Sequence, residues 1–112
     1  MNRFPGPELA SLRKGEMHAC TMGEREVLIC HTADGVFAVD DICTHALARM
    51  SEGRLRGTRL ICPLHGASFD VRDGRVLGGP ATVALPHHRV EIVDGRVEVE
   101  IDPNAPPQLR DE

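Results

Sequence analysis

Apolar and polar positions alternate along most of this chain, in runs too short for helices. Val27 to His31 and Val36 to Val39 are compact apolar segments flanking Asp34-Gly35, a dipeptide suited to the positive backbone angles of a two-residue hairpin. Met17 to Thr21 comes before them, behind the turn residues Met22 to Glu24. Near the end, Val97, Val99 and Ile101 alternate with Arg96, Glu98 and Glu100, the pattern of a strand with one face in a core and the other in water. Asp94-Gly95 links that strand to Arg89 to Val93, and a third Asp-Gly pair stands at Asp73-Gly74. Short strands punctuated in this way predict an all-β fold, a small antiparallel sandwich or barrel.

Both ends depart from the pattern. Phe4 to Lys14 reads as a polar lead-in with one short helical turn from Pro7 to Leu12. After Ile101, Asp102-Pro103 ends the last strand, and a mobile tail is expected over about 103–112. A segment of about 41–71 interrupts the framework as an insertion. Within it, Arg59-Leu60-Ile61 and Ser68 to Val71 predict small strands, and His45 to Ser51 predicts a helical turn. With no internal repeat and no linker, residues 1–112 read as a single domain.

Length and charge narrow the function. A chain of 112 residues builds one modest core and cannot also house a dinucleotide site or a catalytic iron domain. A net charge of −4 and a pI near 5.8 argue against nucleic acid and against an anionic membrane surface. A soluble monomer meeting protein partners fits better. No apolar run approaches a membrane span, and Met1 to Pro5 lacks the apolar core of a signal peptide, so a cytoplasmic location is expected. Four cysteines in that compartment suggest metal before disulfides.

The candidate chemistry lies in the insertion. Cys43-Thr44-His45 is followed by sixteen residues and then by Cys62-Pro63-Leu64-His65. Two thiolates and two imidazoles in such mixed pairs can hold one tetrahedral zinc or a two-iron cluster with a different ligand pair on each iron. Each pair suits a tight loop: Cys43 and His45 would point the same way on an extended backbone, while Pro63 fixes one φ and Gly66 permits a positive one. The plainer alternative is two structural cysteines and two surface histidines. Four ligand-type residues within so short a span argue against it.

Together with Ser51-Glu52-Gly53, Cys62-Pro63-Leu64-His65-Gly66, Phe69-Asp70, Gly74 and Pro80-Ala81, the first pair resembles the Rieske [2Fe-2S] family. More narrowly, the chain is similar to the small Rieske ferredoxins that serve bacterial aromatic-ring-hydroxylating dioxygenases, over about residues 5–101. The resemblance implies that Cys43 and Cys62 hold an inner iron, that His45 and His65 hold an outer, solvent-facing one, and that the loop at Gly79-Pro80-Ala81 covers the cluster from a third side. It implies a one-electron carrier rather than an enzyme, taking electrons from a flavin-containing ferredoxin reductase. The acceptor would be a terminal Rieske non-haem iron oxygenase of aromatic hydrocarbon catabolism. With neutral imidazoles such a cluster is formally neutral where four thiolates would make a dianion, so it is easier to reduce. Where high-potential relatives carry Ser and Tyr hydroxyls after the second ligand pair, this chain has Ala67 and Phe69. Without those donors a potential near about −150 mV is expected.

Two other functions fit less well. The small Rieske-like subunit of an assimilatory nitrite reductase resembles the same fold, and a structural zinc module would use the same donors. Cys20 and Cys30 fall in expected strands as core residues, with Cys20 facing Val27 rather than Cys30. His18, His31, His87 and His88 are spare, and the neighbours His87 and His88 would project to opposite faces. His88 stands where related ferredoxins often carry an aromatic residue. Arg49, Arg54, Arg56 and Arg59 cluster between the ligand loops, either as a solvated face or as part of a docking surface.

Overall fold

The computed structural model describes residues 2–109. Ten strands account for its regular structure: β1 Arg3–Glu8, β2 Met17–Met22, β3 Arg25–Thr32, β4 Gly35–Asp40, β5 Arg54–Arg56, β6 Arg59–Ile61, β7 Ser68–Asp70, β8 Val76–Gly78, β9 His87–Val93 and β10 Arg96–Glu100. Six form one antiparallel, barrel-like sheet in the order β1-β10-β9-β4-β3-β2, and the other four form a small sheet in the order β5-β6-β7-β8. The architecture is the all-β framework with an inserted smaller unit that the patterning led us to expect.

Strand β3 is the wall between two cores. Its alternation sends Leu28 and Cys30 into one cluster and Val27 and Ile29 into the other. The first cluster also takes Val39, Met50, Leu60, Phe69, Val71 and Leu85. The second takes Ala38, Val97 and Val99. A strand buried on both faces needs the unbroken apolar run Val27 to Cys30, whereas β10, with one wet face, shows clean alternation. The β2–β3 register sets Cys20 against Val27 and Met17 against Cys30, so the expected pairing holds and both cysteines are free thiols.

Three expectations are revised. The lead-in is not merely polar: Arg3–Glu8 forms β1 beside β10, followed by a 3-10 turn at Leu9–Ser11. Pro5 and Pro7 hid it, because proline is tolerated on an edge strand and β1 is one, with an irregular register between Pro5 and Glu8. The helical turn expected over His45 to Ser51 contracts to a 3-10 turn at Met50–Glu52. The described part of the expected mobile tail is tied to β3: the Glu26 N–H donates to Gln108 Oε1 at 2.9 Å, Gln108 Nε2 donates to Glu26 O at 2.6 Å, and Arg25 donates to Pro106 O. Residues 110–112 of that tail lie outside the described residues.

Candidate metal centre

Cys43 and Cys62 start two loops with the same closure. The Cys43 N–H donates to Ala48 O at 3.0 Å, and the Cys62 N–H donates to Ala67 O at 2.7 Å, each reaching five residues ahead. Within each loop the backbone turns back on the thiol: the His45 N–H lies 3.4 Å from Cys43 Sγ, and the Leu64 N–H is directed at the Cys62 sulfur. In the second loop His65 itself has φ 68° and Gly66 has φ 75°. Such consecutive left-handed residues curl the chain about the thiol, at a strain cost that His65, unlike Gly66, bears.

Both sulfurs are rooted in the first core. Cys43 and Cys62 are buried beside Ala67, Phe69 and Ala81, and the two thiols are close enough to hydrogen bond. His45 and His65 are exposed, and their rings meet edge to face with centroids 5.7 Å apart. The structure thus sets the two cysteines together as a buried sulfur pair and the two histidines together as an exposed nitrogen pair. The loop at 79–83 borders them: Ala81 is buried with the cysteines, and the Thr44 hydroxyl donates to Val83 O at 2.7 Å.

This donor set fits a two-metal group better than a single ion. A tetrahedral zinc needs all its ligands around one point, whereas a two-iron cluster takes them in pairs. Burial pushes the Cys62 thiol up, the Leu64 amide opposes that, and neighbouring Cys43 adds to it. Metal binding at this site must therefore displace protons from the thiols.

Residues not singled out from the sequence hold the loops in place. Asp41 is buried, its N–H donates to Glu26 O at 2.9 Å, and its carbonyl accepts from Met50 N–H at 2.6 Å. Its carboxylate accepts from the Ser51 N–H at 2.7 Å and the Ser51 hydroxyl at 3.0 Å, so it spans the base of the first loop. Burial raises its pKa, and the Ser51 and Arg49 donors pull the other way. Gly53 passes so close to the strand leading into Cys62 that a Cβ would sit 1.9 Å from Ile61 O. Asp41 and Ser51 are ten positions apart, so no short motif reveals that contact; Gly53 is visible only as part of Ser51-Glu52-Gly53.

The remaining candidates lie elsewhere. His88 is buried on β9, where its Nδ1 accepts from the Asp102 N–H at 3.1 Å and its Nε2–H donates to Asp40 Oδ1 at 2.8 Å. Asp40 also takes two bonds from Arg25, at 2.8 and 2.9 Å, so His88 is a structural polar residue. His87 beside it is exposed. The Nδ1–H of His31 donates to Leu12 O at 2.7 Å, and His18 is exposed on β2. Burial pushes the Cys30 thiol up to about 12, as suits an inert core residue.

The family model described as the Rieske [2Fe-2S] domain matches residues 3–99. The ferredoxin component of the naphthalene 1,2-dioxygenase system of Pseudomonas putida is 33% identical over 93 residues, which cover 83% of this chain and 89% of that one. Among solved structures, a chain from the complex of reduced oxygenase and oxidized ferredoxin in carbazole 1,9a-dioxygenase superposes with a TM-score of 0.84 at 30% identity, covering 88% of this chain and 93% of that one. A nitrite reductase small subunit from Mycobacterium tuberculosis reaches a TM-score of 0.77 at 22% identity, covering 87% and 92%, a likeness of fold alone.

Proposed function

Because the chain belongs to the Rieske [2Fe-2S] domain family, we propose that it carries one [2Fe-2S] cluster and acts as a one-electron carrier in an aromatic-ring dioxygenase system. Cys43 and Cys62 are the ligands of the inner iron in this reading, and His45 and His65 those of the outer iron. When bound, the cluster supplies a centre that takes up and releases a single electron. The chain's own residues do the rest. The buried cysteines anchor one end in the core, and the amides of His45 and Leu64 donate toward sulfur. The exposed imidazoles carry the electron path to the surface, and Leu47, Leu64 and Val83 are apolar side chains exposed on or beside the same loops. Such side chains shed water readily on contact with a partner, as a brief electron-transfer encounter requires.

The observation that carries the reading is the exposed ring pair, 5.7 Å apart, above a buried sulfur pair. The donor is a flavin-containing ferredoxin reductase and the acceptor a terminal Rieske non-haem iron oxygenase. The chain itself acts as a monomer in the cytoplasm and performs no chemistry on the aromatic substrate. Free Cys20 and Cys30 accord with a reducing compartment. Ala67 and Phe69 bring no hydroxyl toward the buried sulfurs, which favours a potential near about −150 mV. Sulfide analysis, electron paramagnetic resonance after dithionite reduction and anaerobic transfer to the host's purified terminal oxygenase test this function. Acid-labile sulfide, a rhombic signal and reoxidation by the oxygenase are expected. Protein that lacks sulfide, or that the oxygenase does not reoxidise, overturns it.

The nitrite reductase subunit finds less support, since its solved relative shares only the fold at 22% identity. Permanent association with a sirohaem protein would be its signature.

A further inference from the structure

The arginines between the ligand loops divide into two groups. Arg49 is paired with Glu26 and Asp41 at 3.2 and 3.4 Å. Arg54, Arg56 and Arg59 form no ion pair among the described residues, although six other arginines, including Arg25, Arg72 and Arg75, do. All three lie on the β5–β6 hairpin. Leu55 and Leu60 pair across it and turn inward, which leaves Arg54, Arg56 and Arg59 exposed on the outer face. Arg56 and Arg59 are directly opposite each other, a like-charge cross-strand pair that weakens the hairpin. The acid nearest in register, Asp70, faces Arg59 across β6–β7, but Arg72 and Arg75 take its carboxylate, and Arg59 instead donates to Ser68 Oγ at 2.8 Å.

This concentration of positive charge stands on a chain of net charge −4. Arg59 gains the Ser68 hydroxyl from the fold, and the stripe ends beside the second ligand loop, where Arg54 lines one cleft with Glu52, Cys62, Pro63 and Gly66. Leu47, Leu64 and Val83 are exposed on or beside the ligand loops, and Arg49 and Glu52 share a cleft with Leu47 and Leu64. We propose that the outer face of the β5–β6 hairpin, through Arg54, Arg56 and Arg59, is the charge-bearing part of the docking surface and fits an acidic patch on the terminal oxygenase. The stripe steers the encounter from one side and brings the ligand loops onto the oxygenase's entry point. A complex of oxygenase and ferredoxin from a related system exists, which makes the oxygenase the partner of choice. The inference rests on the electron-carrier function proposed above.

The test measures the second-order rate at which dithionite-reduced holoprotein reduces the host's purified terminal oxygenase, by stopped flow. Salt is raised from about 0.01 M to about 0.15 M, over which the screening length falls from about 30 to about 8 Å. The wild-type rate should fall as salt rises. Arg54→Gln/Arg56→Gln should be slower by about tenfold at low salt and nearly insensitive to it, with an unchanged visible spectrum. Arg13→Gln/Arg89→Gln removes as much charge from other surfaces and should behave as wild type. Because Arg56 faces Arg59, the thermal midpoint of the hairpin variant should stay level or rise, which separates a docking defect from a folding one. A hairpin variant as fast as wild type, one that gains rate, or equal losses in both double variants overturns the stripe. So does slowing confined to reduction by the reductase. If wild type transfers electrons normally in any of these cases, the carrier function stands; if wild type transfers none, that function fails and the stripe with it.

Discussion

At the scale of single residues, the two histidines expected to bind iron and the exposed one on β9 do different work with the same side chain. His65 is exposed, has φ 68° and meets the His45 ring, whereas His87 is exposed on strand β9 and, among the described residues, meets no aromatic ring. His65→Ala should therefore yield protein that loses iron and its visible colour, while His87→Ala should keep both, as iron analysis and absorption would reveal. Equal behaviour of the two variants would refute the ligand assignment. Asp70 offers a residue-level test in acid. Hydrogen bonds from Arg72 hold its carboxyl below the ordinary value of 3.8, against the opposing effect of burial. A carboxylate depressed in the fold adds stability that is present above its unfolded pKa and is lost as pH falls toward the folded one. Urea midpoints of wild type should thus drop below about pH 4, and Asp70→Asn, less stable at neutral pH, should show a shallower decline.

At the scale of elements, the ligand loops are shaped by close approach of backbone to backbone. Gly53 has ordinary negative φ, yet a methyl there would meet Ile61 O at 1.9 Å, beside Cys62. Gly53→Ala should cost about 1–3 kcal/mol, the range for forced overpacking. It should also lower cluster occupancy, because relief of the clash pushes on β6, which carries Cys62 at its end. A chemical denaturation curve with parallel iron analysis checks both. Gly74, with φ 78°, makes a similar contact with Leu85 O, and the reciprocal Leu85 N–H to Gly74 O bond of 2.8 Å fastens the loop that borders the site. Patterning identified the longer strands because each is a half-buried or fully buried run. It missed β1, which contains two prolines, and β5 and β8, which are three residues long and have no buried residue, unlike the equally short β6 and β7.

At the scale of the whole molecule, the two cores divide the labour. Cys43 and Cys62 belong to the first, which joins the small sheet to β3 and β4, and the second contains no candidate ligand. Removing iron should therefore loosen β5–β8 and the loops while the β9–β10 hairpin persists. Hydrogen exchange on holoprotein and chelator-treated protein should show protection lost in the small sheet and kept around Val97 and Val99. Uniform loss would mean that the cores are not separable.

The order of residues by itself determined most of the strand framework, the turns and which four residues stand as candidate donors. These are local facts, carried by alternation, by Asp-Gly pairs and by two short spacings. Only the tertiary structure decided that Asp41 braces the first loop, that His88 is a core residue and that, among the described residues, three arginines are left without carboxylates. Each of those depends on strands distant in sequence lying side by side, because burial and pairing belong to the packed chain rather than to any segment of it.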